Sequence, residues 1–342
     1  MQYRSPDALL PEIPVIDCDE GGAERLFDLS PDGARRLAAI ARRSYTAPVV
    51  AWLDWRSRKW AERNDSPYMP EVAHIAERLP GAGVHALNLS YEWACTTAAV
   101  APLVLRALDW RLDGMGREIV VARHRSPSGP WLNITWPGFV GVLTALAPGR
   151  FAAALNQAPL RRRSYILPID WAIDRLRVDR TRAMPPTHAL RLAFETCGTF
   201  AEAVEVLRDT PLALPCLFAI SGPKGEACVI ERQEESAIVI DGDEVMANHW
   251  LNSRWRRGRA RGIDSEGRWK ALRAAARQAE IGQGFGQGFG WLRPPVLNRL
   301  TRLAAVMNAA TGTLSVIGLE AKGTIAMPAT KTLHIEMAPA PD

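Results

Sequence analysis

The chain is short of the features that mark membrane-spanning, secreted or nucleic-acid-binding proteins. No run among its 342 residues reaches membrane-spanning length without a charge or a proline. Residues 1–7 are polar and no long apolar segment follows them, so no secretory signal is expected. Cysteine is scarce. The five, Cys18, Cys95, Cys197, Cys216 and Cys228, are an odd number without C-x-x-C spacing, which argues against a disulfide framework or a zinc site and makes a reducing cytoplasm the simplest compartment. Neither sign of charge dominates: 42 Lys and Arg face 37 Asp and Glu, a net charge of +5. That excess permits an anionic surface as partner, but no nucleic-acid motif accompanies it. The densest basic run, residues 254–261, lacks the repeated aromatic spacing of a single-strand binder and reads as a solvated loop. The glycine-rich tract 281–290 is no phosphate cradle, because no Lys-Ser/Thr follows it. It reads as a flexible connection, with a lid as the alternative. No cofactor and no metal is implied.

What remains is an ordinary apolar content of 47%, enough for one large α+β domain or two small ones. Helical periodicity runs through residues 32–43 and 71–79. Between them, residues 49–55 and Trp60 form a tryptophan-rich stretch flanked by Arg56, Arg58 and Lys59. A helix buried on the core is the reading favoured for it, and an interfacial patch admitting a lipid-like substrate the alternative. Past residue 95 the pattern turns to short β-branched or aromatic segments at 118–122, 131–136 and 141–145, separated by Gly/Pro turns. Helices are expected around 169–177, 187–196 and 199–208, then strands at 216–220, 227–232 and 237–240. Strands, helices and strands again suggest two stacked sheets with helices outside.

Chemistry concentrates around Cys95. A thiol that attacks an amide needs a base, a positive neighbour and an oxyanion site. Arg106 and Asp109 lie three apart in the otherwise apolar run 104–110, where solvent exposure of both is not expected. The run Asn88-Leu-Ser-Tyr-Glu-Trp-Ala-Cys-Thr-Thr97 is similar to the N-x-x-Y-E-x-x-C-T-S junction of the N-terminal nucleophile hydrolases of the acid ceramidase, N-acylethanolamine acid amidase and choloylglycine hydrolase group. Arg106 and Asp109 resemble that group's R-N-x-D-[WFY] motif. Residues 136–144 resemble its P-G-[FY]-V-G-x-x-T strand pair, and Ala154-Leu-Asn156 its G-L-N. Residues 200–211, 247–249 and 265–268 continue the order, so the resemblance covers roughly 70–320 collinearly.

The resemblance implies a four-layer αββα sandwich of two mainly antiparallel sheets. It divides the chain into a helical N-terminal segment, 1–94, and a catalytic part, 95–342, produced by self-cleavage before Cys95. Cys95 would be the nucleophile, its freed α-amine (intrinsic pKa near ~8) the base. Arg106 would depress the thiol pKa and Asp109 would orient the amine. Asn248 would donate to the oxyanion, with Asn156 a second polar group and Arg268 a brace; His249 is not required. Trp110, Trp136 and Phe139 are candidates for an apolar acyl pocket, although such aromatics are as often core. The chain departs from the family pattern in a shorter Cys95–Arg106 interval, with Ala101-Pro102 in place of a glycine turn, in Gln157 in place of an acidic residue and in Thr97 in place of the usual Ser. The function implied is cleavage of a lipid-like N-acyl amide through a thioester. The alternatives are an acyltransferase of the acyl-coenzyme A:6-aminopenicillanate type and a non-cleaving binding protein on the same scaffold. Two fragments that stay together as a heterodimer, and peripheral membrane contact, are expected with it.

Overall fold

A computed structural model describes residues 10–89, 93–277 and 288–338. Residues 1–7, residues 90–92 of the junction and residues 281–287 of the glycine-rich tract lie outside the described residues. The chain opens with β1 (Val15–Asp19) and five helices, α1 (Gly22–Leu29), α2 (Pro31–Tyr45), α3 (Ala47–Ala61), α4 (Met69–Arg78) and α5 (Val84–Leu89). Seven elements carry the first half of the sandwich: β2 (Ala94–Val100), β3 (Leu103–Asp109), β4 (Val120–Ser126), β5 (Gly129–Thr135), β6 (Thr144–Ala147), β7 (Phe151–Gln157) and α6 (Leu167–Val178). Then come α7 (Pro186–Thr196), α8 (Phe200–Asp209), β8 (Cys216–Ser221), β9 (Ala227–Arg232), β10 (Ala237–Asp241), β11 (Glu244–Met246) and α9 (Ser265–Arg277). Four strands close the chain: β12 (Thr301–Asn308), β13 (Thr313–Lys322), β14 (Ile325–Pro328) and β15 (Leu333–Glu336).

The strands form two sheets. One runs β1-β4-β5-β6-β7-β8-β9-β10 and the other β11-β2-β3-β12-β13-β14, with β15 also on β13. Among the described residues all pairings between these strands are antiparallel except β1 with β4. Strand β2 lies over β7 and β8, so the sheets face each other; α7 and α8 cover the outside of the first, and α9 covers β2 and β11 outside the second. This is the αββα order of an α+β sandwich.

Side-chain alternation shows how β3 is read by its neighbours. Val104 and Leu108 join the core between the sheets, whereas Leu105 and Ala107 join the cluster that contains Leu272 of α9. Successive residues of a strand point to opposite faces, so Arg106 shares the inner face with Val104 and Leu108. Cys95 likewise belongs to the inner core and Ala98 to the outer cluster.

Three readings need correction. The segment before Cys95 is not purely helical: β1 pairs in parallel with β4, Val15 opposite Val121, and makes itself an edge strand of the first sheet. A five-residue strand carries too little periodicity to stand out from a loop. The tryptophan-rich stretch is the helix α3, but only part of it is core. Trp60 is buried and its indole N–H donates to the Thr181 carbonyl at 2.8 Å, while Trp52 and Trp55 are 47% and 58% exposed. Finally, residues 136–143 are not strand, and β6 starts only at Thr144. Gly138 has φ +87° there, a region side chains with a Cβ avoid.

Candidate active site

The hairpin of β2 and β3 sets the first two side chains. Thr97 pairs with Arg106 across it, Cys95 with Leu108, and Ala94 with Asp109. Asn156 approaches from β7 in the facing sheet: its Oδ1 accepts from Thr97 Oγ1 at 2.8 Å and from Arg106 Nη1. Its Nδ2 donates to the Ala247 carbonyl at 2.9 Å and to that of Cys95 at 3.4 Å. Asn156 is thus spent on holding Arg106 and the backbone, a positioning arrangement and not a free donor.

Arg268 reaches in from the first turn of α9. Fully buried, it donates through Nη1 to the Cys95 carbonyl and to Thr96 Oγ1, both at 2.7 Å, and through Nη2 to Asn248 Oδ1 at 3.0 Å. Thr96 is the outward neighbour of two inward residues, which is why a helix on the outer face can grip the strand beside Cys95.

Asn248 is oriented by partners whose roles are fixed. The Cys95 amide N–H must donate and the Gln157 carbonyl must accept, so Asn248 Oδ1 faces Cys95 N at 2.8 Å and Nδ2 faces Gln157 O at 2.8 Å. The oxygen of this carboxamide therefore holds the nitrogen that would become the α-amine, and one of its two N–H groups remains for an oxyanion. Ser265, part of the 265–268 motif but given no role by the sequence, supports this placement: its Oγ accepts from Asn248 N at 2.9 Å and meets His249 Nδ1 at 2.8 Å. Burial lowers the His249 pKa, which keeps that ring neutral.

Asp109 is engaged by two further residues that sequence reasoning missed. Asn298 Nδ2 donates to Oδ2 and Thr301 Oγ1 to Oδ1, each at 2.8 Å, with Arg268 Nη1 3.8 Å away. Thr301 lies opposite Asp109 in the β3–β12 pairing. Nothing in the run 298–301 identifies it without that pairing. Burial raises the Asp109 pKa against the pull of Arg268 and these two donors.

Electrostatically, the site disfavours a thiolate at Cys95. Burial pushes the Cys95 thiol up to about 12, with Arg106 as the strongest opposing charge and Arg268 also lowering it. Two nitrogens of Arg106, Nε and Nη2, have no hydrogen-bond partner among the described residues. Gly262 packs on Ala94: at φ +73°, a Cβ there would lie 2.4 Å from Ala94 Cβ.

A cavity of about 590 Å³ lies against this cluster, lined by Trp93, Ala94, Asp109, Trp110 and Gln157 among others. Trp110 also borders a narrow apolar slot of about 50 Å³, whose walls include Trp136 and Phe139 and, from the N-terminal helices, Leu37, Ile75 and Leu79. The three aromatic candidates are therefore brought together, with much of the slot supplied by residues before 95. Among the described residues no group of His, Cys, Asp and Glu is arranged to hold a metal ion.

Residues 174–315 match the family described as acyl-coenzyme A:6-aminopenicillanic acid acyl-transferase. Over 178 residues the chain is 25% identical to acid ceramidase of Heterocephalus glaber, a match that covers 51% of this chain and 44% of that protein. Acid ceramidase of Homo sapiens is 26% identical over 117 residues, 34% of this chain and 28% of that protein. The chain is thus similar in sequence to the acid ceramidase-like branch of the N-terminal nucleophile hydrolase superfamily. It spans less than half the length of the curated relatives it matches. Among solved structures, the Caenorhabditis elegans N-acylethanolamine-hydrolyzing acid amidase ortholog superposes with TM-score 0.47 and 20% identity, over 64% of this chain and 93% of that one. A variant of conjugated bile acid hydrolase from Clostridium perfringens gives TM-score 0.41 and 13% identity over 72% of this chain and 98% of that one.

Proposed function

We propose that this chain is a cysteine-nucleophile amidohydrolase of lipid-like N-acyl amides, activated by its own cleavage between Ala94 and Cys95. The observation that carries the reading is the grip on the Cys95 backbone. Asn248 Oδ1 takes its N–H and Arg268 its carbonyl, around a cysteine that lies inside the chain.

In the first step the Cys95 thiol attacks the Ala94 carbonyl carbon. The C–N bond breaks as S–C forms, and the thiol proton ends on the departing nitrogen. Water then splits this thioester, leaving a carboxylate on Ala94 and a free amine on Cys95. In turnover that amine takes the thiol proton, the thiolate attacks the substrate carbonyl, the amine product leaves with the proton, and water releases the acid. Arg106, the strongest charge opposing the rise in the Cys95 pKa, favours the thiolate once water and the amine replace the Ala94 peptide. Asn248 Nδ2 supplies an oxyanion donor, a contact worth about 3 kcal/mol in such sites. Asn156, Asp109 and Arg268 hold these groups in place.

Two fragments that remain associated are supported by the shared core. Ile13, Leu37 and Ile40 pack in the same cluster as Cys95 and Leu108, and β1 is hydrogen-bonded into the catalytic sheet. Peripheral membrane contact is supported by an exposed apolar surface on α3 (Val49, Trp52, Trp55) and on the start of α6 (Tyr165, Ile166, Ile169), whose Leu167 also lines the main cavity. Helices α3 and α6 are tied together by Arg175 Nη2 donating to Ser57 Oγ at 3.2 Å. No helix among the described residues is long and apolar enough to cross a membrane. Five unbridged thiols suit the reducing compartment proposed for it, the cytoplasm.

An acyltransferase is the second reading, favoured by the description of the matching family. Both share the acyl-enzyme and differ in whether water or an amine resolves it. Intact-mass analysis of the purified protein, followed by a panel of N-acyl amides with released amine measured, tests the proposal. Fragments 1–94 and 95–342 with amine release are expected, and an uncut chain that still hydrolyses amides refutes the α-amine mechanism. Faster amine release on adding a second amine, with its acyl product formed, turns the reading to the transferase.

A further inference from the structure

Gln157 ends β7 beside the candidate site, where its backbone carbonyl accepts from Asn248. Its side chain is only 3% exposed, and neither Nε2 nor Oε1 has a hydrogen-bond partner among the described residues. A buried donor or acceptor left unmet costs about 1–3 kcal/mol, so a carboxamide with both ends unmet is retained at a real cost in stability. Where such a group lies gives it a use. Gln157 lines the main cavity and also a smaller one under α6, and the two share Leu160, Trp171 and Arg261. The smaller cavity has a mixed lining, bordered by the Arg161–Glu234 ion pair and Asp174 as well as by Val178 and Leu214. By contrast, at Trp110 the main cavity borders the apolar slot. One cavity thus adjoins an apolar recess at Trp110 and a recess with charged walls at Gln157.

Resting on the amide-cleaving reading above, we propose that Gln157 is a specificity-determining residue. Its carboxamide reads a group on the amine half of the substrate that both donates and accepts a hydrogen bond, a hydroxyl or a second amide. An ammonium offers donors alone and a carboxylate acceptors alone, so either leaves one end of Gln157 unmet. A methyl group leaves both unmet. Ala94 and Trp93 line the same cavity in the uncut chain, and the free Ala94 end made by cleavage gives the substrate access to this wall.

The test compares two amides with the same tail, N-dodecanoyl ethanolamine and N-dodecanoyl n-propylamine, which differ by a hydroxyl against a methyl. Processed wild-type protein is expected to prefer the hydroxyl amide in kcat/KM by about ten-fold or more, the range set by one buried unmet group. Gln157→Leu should bring the ratio to near one by raising KM for the hydroxyl amide more than for the propylamide. Gln157→Glu, which keeps the shape and the acceptor, should fall between them and covers the case in which the leucine variant does not fold. An unchanged ratio in the folded variants, or an equal loss on both amides, overturns the assignment. If wild-type protein hydrolyses neither compound, the amidase reading fails separately, and calorimetric titration with the same two molecules decides on Gln157. Tighter binding of the hydroxyl compound that disappears in Gln157→Leu supports it, and equal affinities refute it.

Discussion

Gly262 offers a direct test of how closely the residue before Cys95 must be held. A Cβ at this position would lie 2.4 Å from Ala94 Cβ and 3.0 Å from Arg268 Nη2. Carbon atoms in contact rest at about 3.5–4.0 Å, so in Gly262→Ala either Ala94 or the 262 backbone must retreat by roughly 1 Å. A displacement of that size at a reacting group can cost about 10²-fold in rate, and self-cleavage should slow by that order. A second effect travels with it: φ is +73°, and a left-handed alanine costs about 1–2 kcal/mol. Gly225→Ala separates the two, because φ there is +95° and nothing lies within 4 Å of the added carbon. Both variants should lose a few degrees in Tm, but only Gly262→Ala should accumulate uncut chain. The assay is intact mass against time after purification, with thermal melts alongside. Wild-type cutting rates in a folded Gly262→Ala protein would refute the reasoning that Ala94 is held by contact with this glycine.

Further outcomes follow from other parts of the molecule. Cys95→Ala should abolish both cutting and turnover, whereas Cys95→Ser should retain slow cutting; turnover in the alanine variant would remove Cys95 from the mechanism. After processing, both fragments should co-elute in gel filtration, since departure of residues 1–94 would strip β1 from its sheet; an active fragment running alone from Cys95 contradicts this. Trp55→Ser, at an exposed position, should raise KM for long-chain amides more than for short ones, and equal effects would leave α3 without a role in lipid access. Burial lowers the His124 and His188 pKa values from 6.5 to about 3. Both bind protons more readily when unfolded, so stability is full above pH 6.5 and falls as pH drops towards 3, by up to about 1.4 kcal/mol per unit for each ring. His124→Phe, which keeps the stack on Trp131 (centroids 4.3 Å apart), should flatten the urea-unfolding profile over that range; an unchanged slope counts against a titrating His124.

The run 103–109 shows how far local pattern carries. Its apolar residues read as a strand, and strand geometry places Arg106 on the same face as Val104 and Leu108, which join the inner core. The helices over 31–45 and 69–78 and the strands after 216 were legible for the same reason: each has a period of its own, set by chain geometry. The ordered motifs pointed to Cys95, Arg106, Asn156, Asn248 and Arg268, and the structure brings these into one hydrogen-bonded cluster. Periodicity identifies a face but not what covers it. That Trp60 is buried while Trp52 and Trp55 are not depends on where the 179–181 turn and α6 lie, more than 100 residues away. The donors around Asp109 come from residues 298 and 301, which reach it only because β12 pairs with β3. Which end of the Asn248 carboxamide faces Cys95 is decided by the Gln157 carbonyl beside it, a main-chain group with no signature in any side chain. Residue types and their order therefore selected the chemistry. The directions of its hydrogen bonds were left to the packing of two sheets, because a donor or acceptor is chosen by what lies within about 3 Å, and that is a property of the assembled fold.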